Sequence, residues 1–238
     1  MEQGIPPQGT GQEKDVQTVA ALIPAYNAGA TVEAVAAGTM RYIDCVLVVD
    51  DGSTDDTREA AARAGARVIS HVANRGKGQA LKTGFRFLVA KGFRAVLTLD
   101  ADGQHDPEQI PALIARFSAG DVGIVIGSRM GEREKIPRWR LVPNLVGNFF
   151  ISRASGQPIE DSQCGMRIYS ADVLKRITLV SSRFDAEAEA LIKAGKLGFT
   201  FAFVPIPAIY QTGVRSNFVP VKDTYLISVV YLRSLFWK

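Results

Sequence analysis

The chain has 238 residues, 47% hydrophobic and 22% charged, enough to bury the core of one globular domain and with nothing to mark a second. Its formal net charge of +4 and pI near 9.1 come from scattered basic residues, which argues against a nucleic-acid-binding stripe and fits anionic small molecules or an anionic membrane surface. Cys45 and Cys164 are too few for a disulfide framework and read as reduced thiols, and no apolar run reaches the roughly 18 to 20 residues that a spanning helix requires.

Residues 1–18 are rich in Gly, Pro and Gln and lack the basic start and apolar centre of a secretory signal, so they read as a flexible leader. Val19–Ile23, stopped by Pro24, and Cys45–Val49, stopped by two aspartates, have the continuous apolar character of buried parallel strands. Arg67–Ile69, Ala95–Leu99 and Gly123–Ile126 continue the series, with helical stretches at Ala30–Thr39, Asp55–Ala64, Gln79–Lys91 and Pro107–Ala119. This alternation predicts a single α/β domain over residues 19–223: an open, mostly parallel sheet with helices on both faces. Ligands of such sheets bind beyond the carboxyl ends of the strands. After residue 127 come a basic, Pro-containing stretch from Arg129 to Pro143, a helix-like Leu145–Ala154 and a polar Gly156–Gly165, where an acceptor side is expected. Residues 224–238 read as an amphipathic helix, suited either to a bilayer or to packing on the sheet or another subunit.

The chemistry gathers at strand ends. Asp50-Asp51-Gly52-Ser53-Thr54-Asp55 follows the second strand, where a carboxylate could accept hydrogen bonds from a nucleobase or ribose; Ser53, Thr54 or Asp55 could equally cap a helix. Asp100 and Asp102 follow the fourth strand. In an extended segment residues two apart point the same way, so both could face a hard divalent cation bridging diphosphate oxygens, while Asp106-Pro107 suits a turn or cap. His105 could be a ligand or base, or structural. Asn74-Arg75-Gly76-Lys77-Gly78 suits a tight loop near phosphate but lacks the Walker pattern, and a plain connection remains the alternative.

Six motifs in order then carry a resemblance: Pro24-Ala25-Tyr26-Asn27, Asp50 to Asp55, Asn74 to Gly78, Asp100-Ala101-Asp102-Gly103-Gln104-His105, Gly127-Ser128-Arg129, and Asp161-Ser162-Gln163-Cys164-Gly165-Met166-Arg167. Together they resemble family-2 glycosyltransferases, and within them the polyprenyl-phosphate (dolichyl-phosphate) mannosyl- and glucosyltransferase branch. The resemblance runs from about Val19 to Asp223. It implies a GT-A fold with a Rossmann-like sheet and inverting transfer of a hexose from a UDP- or GDP-sugar. By the same similarity Pro24, Tyr26 and Asp51 hold the nucleoside, Lys77 and Asp100 serve the nucleotide-sugar, and Asp100, Asp102 and Gln104 hold Mg²⁺ or Mn²⁺ with the diphosphate. Arg129 faces phosphate. Arg140, Arg167, Arg215 and Ser216 are assigned to the acceptor; the branch often shows Ser-Lys where this chain has Ser216-Asn217, and Met166 replaces a common aromatic.

A phosphate acceptor needs no strong base, since positioning by arginines does much of the work, whereas a sugar hydroxyl needs a carboxylate to take its proton. Asp161 and Asp185 are the candidates, with helix capping or a salt bridge as the other reading of Asp185. The stretch Arg129, Arg133, Lys135, Arg138, Arg140 favours a polyprenyl phosphate reached from the cytoplasmic membrane face by a peripheral protein, though a solvated loop has the same composition. Two other expectations stay open: a soluble transferase acting on a saccharide with Asp161 as base, and a non-catalytic nucleotide-binding module.

Overall fold

The computed structural model describes residues 18–209 and 228–237. β1 (Val19–Ala25) beyond its first residue and β2 (Val46–Asp50) throughout are buried at every position, so both faces of this part of the sheet are covered. With β3 (Arg67–Ser70), β4 (Ala95–Thr98), β5 (Ile124–Ser128), β6 (Arg167–Ser170) and β7 (Phe201–Pro205) they form a seven-stranded sheet in the order β3-β2-β1-β4-β6-β5-β7. The helices are α1 (Gly29–Met40), α2 (Thr57–Arg63), α3 (Lys77–Ala90), α4 (Ile110–Ser118), α5 (Arg138–Ser155), α6 (Ala171–Arg176) and α7 (Asp185–Lys196). α3 packs on β1 and β2 and also meets α7, which in turn carries α5.

All neighbouring strands run parallel except β6, which lies antiparallel between β4 and β5. That reversal positions the site. Arg167, the first residue of β6, pairs with Thr98 at the end of β4 and with Ile126 near the end of β5. The loop entering β6 therefore opens at the same edge from which the loops after β4 and β5 leave.

The expected strands and helices are present with ends shifted slightly, while β6 and β7 were not foreseen. β6 has only four residues and begins with a charged one, so it carries no periodic signal. α5 starts at Arg138, well before the expected Leu145, because Pro137 immediately precedes its first turn and Pro143 is accommodated inside it. It ends at Gly156, whose φ of 71° supplies the left-handed stop. Asp106 does cap a short 3₁₀ turn at Pro107–Gln109, accepting the Glu108 amide, and this turn leads directly into α4.

Candidate active site

Loops from the β1, β2, β4 and β5 ends, the turn entering β6, and the starts of α3, α5 and α7 enclose a cleft of about 760 Å³. Pro24 and Tyr26 line it from β1 and its exit. Asn27, with a φ of 48°, ties this exit to the next: its amide donates to Ser53 Oγ at 2.9 Å, and its Oδ1 accepts the Thr54 amide at 2.9 Å. Asp50 Oδ1 accepts the Ser53 amide, and Asp55 accepts the Gly29 and Thr57 amides. Asp55 thus ties the starts of α1 and α2 together, while the N-cap position of α2 is Asp56, whose side chain makes no capping bond.

Asp51, expected to hold the nucleoside, also lines the cleft, and its carboxylate is engaged by the neighbouring loop. Its oxygens accept the amides of Arg75 and Gly76 at 2.7 to 3.1 Å, and Oδ1 lies 2.6 Å from His71 Nδ1. Asp51 therefore holds the 74–78 loop in place, and His71, whose Nε2 reaches Thr83 Oγ1, braces it from behind.

That loop delivers Lys77 into the cleft. Its Nζ lies 2.5 Å from Asp100 Oδ1 and 2.9 Å from Glu187 Oε2. Burial alone would lower the Lys77 pKa, yet the two carboxylates hold it above its usual value. Burial would likewise raise Asp100, and Lys77 with other nearby cationic groups brings it down to about 2.

The segment after β4 is a turn and not the extended stretch the spacing predicts. Both carboxylates still line the cleft, with Gln104 beside them. Asp102 Oδ1 accepts the Gln104 amide at 3.0 Å; burial, and then the charge of Asp100, raise its pKa. Gly165 makes room for this arrangement, since a Cβ there would fall 2.4 Å from Asp100 Oδ2. His105 fits its structural reading: its Nδ1 accepts the Asp100 amide at 3.4 Å and its Nε2 lies 3.7 Å from Cys164 Sγ. Burial pushes His105 down to about 4 and Cys164 up to about 12, so the ring is neutral and the thiol protonated.

Arg129, at the end of β5, lines the cleft and is gripped from below. Asp161 accepts its backbone amide, its Nε at 2.8 Å and its Nη2 at 2.9 Å, and also the Asn144 amide group at 2.9 Å. Asp161 is wholly buried; burial would raise its pKa, but Arg129 and Asn144 hold it below the carboxylate norm. It lies outside the cleft lining, so the expectation of a proton-accepting base there is corrected: this carboxylate orients Arg129. Asp185, the first residue of α7, does not cap the helix but accepts the Arg183 amide just before it, and it is also absent from the lining.

Arg167 is a second correction. It is wholly buried, and its guanidinium donates to the carbonyls of Cys164 and Ser162 at 2.6 Å each, to Glu187 O and to Tyr169 Oη. It stitches the turn before β6 to α7 and reaches no ligand space. Arg140 does line the cleft, from the first turns of α5, whereas Arg215 and Ser216 fall outside the described residues. Glu187, Arg183 and Phe184 line the cleft without having been anticipated, because α7 shows only an alternation of alanine and acid that marks no ligand. Among the described residues no helix is long and apolar enough to cross a membrane.

The sequence profile described as Glycosyl transferase family 2 matches residues 20–178. The chain is 31% identical over 212 residues to the UDP-N-acetylglucosamine–dolichyl-phosphate N-acetylglucosaminyltransferase of Methanococcus voltae, covering 79% of this chain and 84% of that protein. It is 32% identical over 204 residues to the undecaprenyl-phosphate mannosyltransferase of Micrococcus luteus, covering 79% and 82%. The crystal structure of glucosyl-3-phosphoglycerate synthase from Mycobacterium tuberculosis in complex with UDP superposes with a TM-score of 0.74 at 24% identity. That alignment covers 97% of this chain and 86% of the other, a likeness that speaks for the GT-A-like fold alone. With acidic residues at the β2 and β4 ends, Arg129 at the β5 end and the family profile across most of the sheet, this chain belongs to glycosyltransferase family 2 and is a glycosyltransferase.

Proposed function

We propose that this enzyme transfers a hexose, with inversion, from a UDP- or GDP-sugar to a polyprenyl phosphate, using Mg²⁺ or Mn²⁺. The observation that carries the proposal is the meeting of Asp100, Asp102 and Gln104 with Arg129 and Arg140 around one cleft. Its volume, about 760 Å³, is of the size that takes a nucleotide-sugar-like ligand. The acceptor class is supported by the relatives, which are named for dolichyl and undecaprenyl phosphate.

The donor set fits a hard divalent cation. Carboxylates and a side-chain amide are oxygen ligands, and the burial and like charge that raise Asp102 are both relieved by a cation at that position. Such an ion supplies Lewis-acid stabilisation of the departing diphosphate. Pro24 and Tyr26 would flank the nucleoside. Asp51 would act through the 74–78 loop, which aims Lys77 toward the Asp100 side of the cleft. Arg129, prealigned by Asp161, and Arg140 would hold the acceptor phosphate in line with the anomeric carbon. A phosphate oxygen is already anionic at neutral pH, so no base is needed. This agrees with the engagement of Asp161 by Arg129, which counts against the saccharide-acceptor alternative. The enzyme would work as a peripheral protein at the cytoplasmic membrane face.

The test is to incubate the protein and Mn²⁺ or Mg²⁺ with a panel of UDP- and GDP-sugars and either polyprenyl phosphate, a soluble saccharide or no acceptor, and to measure released nucleotide and glycosylated product. Glycolipid formed only with metal and lipid phosphate is expected; transfer to a soluble saccharide but not the lipid would overturn the reading. Asp102→Ala should abolish metal-dependent turnover with little change in melting temperature. Arg129→Ala should lower kcat/KM for the lipid phosphate by about a hundredfold or more while leaving nucleotide affinity nearly unchanged, because a transition-state contact and a uniform binding contact have different kinetic signatures.

A further inference from the structure

Helix α5 is built inside out. Its outward face carries Trp139, Val142, Leu145, Val146, Phe149 and Phe150, all exposed, with Phe149 at 65% and Trp139 at 56% of full accessibility. Its inward face is mostly polar, with Asn144, Asn148 and Ser155 buried and Ile151 the buried apolar residue among them. Asn144 donates to Asp161, Asn148 donates to Glu160 O and accepts the Ser162 amide, and Ser152 Oγ accepts the Ile159 amide. Asn144, Asn148 and Ser152 are thus committed to the 159–162 turn, Ile151 joins the core beside them, and the apolar outer side is left to water. A surface helix of a soluble domain shows the reverse arrangement. The patch also extends beyond α5. Phe150 packs on Tyr231 with ring centroids 4.8 Å apart, and the helix at residues 228–234 adds exposed Leu232, with Leu235 and Phe236 just after it.

We infer that this combined face docks on an anionic phospholipid bilayer, with Trp139, Val146 and Phe149 inserted among the acyl chains. Charge is the first reason. Neither α5 nor residues 228–237 contains an acidic side chain, while Arg138 and Arg153 stand exposed at the two ends of α5 and Arg233 on the second helix, within reach of lipid phosphates. Continuity with the site is the second. The same helix contributes Asn144 to the cleft from its inward side and Arg140 from beside the face, where its guanidinium lies 4.8 Å from the centre of the Trp139 ring, so seating α5 in the headgroup layer brings the cleft to the plane where a lipid phosphate lies. This rests on the lipid-phosphate reading for its purpose, though not for its test.

Trp139 and Trp237 are the two tryptophans, so Trp237→Phe leaves Trp139 as the only indole reporter. That protein is titrated with vesicles of phosphatidylglycerol and phosphatidylcholine bearing brominated chains, and with pure phosphatidylcholine vesicles, with no polyprenyl phosphate or sugar donor present. A blue shift and quenching of Trp139 on the anionic vesicles, weakened by salt, is the expected result. Val146→Ser with Phe149→Ser should reduce vesicle partitioning about tenfold or more. It should leave turnover on a short-chain, water-soluble polyprenyl phosphate intact, since neither residue lines the cleft. An unquenched Trp139, or unchanged partitioning of the double variant, overturns the inference. So does a wild-type dimer that becomes a monomer in that variant while Trp139 ignores vesicles, since the face would then join two copies. Vesicle binding without any transfer to lipid phosphate would instead sink the acceptor reading and leave the docking face standing.

Discussion

Arg129 and Asp161 stand 32 positions apart in the chain, yet the arginine's amide, Nε and Nη2 are all directed at this one buried carboxylate. Breaking a buried pair from one side leaves the partner's charge without compensation, which typically costs about 3 kcal/mol. Asp161→Asn should therefore destabilise the fold by about that amount at neutral pH, read as a lower urea midpoint. The pH dependence has a definite sign. Because the folded pKa of Asp161 lies below the usual carboxylate value, its contribution is present above that value and is lost as pH falls through the folded pKa. The gap in midpoint between wild type and Asp161→Asn should narrow on acidification. A gap of constant size from pH 7 down to pH 3 would contradict an ionised, arginine-bound Asp161. The residue types at positions 129 and 161 are plain in the sequence; their pairing is not, because it depends on β6 running backward between β4 and β5.

Secondary-structure elements show how polar and apolar patterning can mislead. The inward asparagines and outward aromatics of α5 give a segment without the amphipathicity expected of a core-facing helix, and its prolines read as a loop, so only its second half was anticipated. Its stop signal is ordinary. Gly156 holds a φ of 71°, and a Cβ there would meet nothing within 4 Å, so an added methyl carries only the cost of the left-handed backbone. Gly156→Ala is expected to destabilise the protein by about 1 kcal/mol and to leave the transfer rate unchanged. Thermal melts and kcat measured on the same preparation check this. A much larger loss of stability would mean that the end of α5 is packed more tightly than the structure describes.

Across the whole molecule, protection should follow position in the sheet. β1, β4 and β6 lie inside the seven-stranded order, while β3 is at one edge with its two end residues exposed and its two central ones half-buried. Amide hydrogen exchange should be about a hundredfold or more slower in β1 and β4 than in β3. Equal rates would indicate that the sheet opens as one unit. β1, β2 and β4 were legible from the sequence because each is a continuous apolar run, a local property that survives without knowledge of neighbours. Strand ends were legible for the same reason, and with them the acidic residues and Arg129 beyond β2, β4 and β5. What lay beyond the sequence was every decision that depends on distant partners. Asp51 is spent on the Arg75 and Gly76 amides, Arg167 is spent on carbonyls of the turn before β6, and Glu187 reaches Lys77 from a helix 110 positions away. A buried charge takes its role from whichever groups compensate it, and only the tertiary structure brings those groups together.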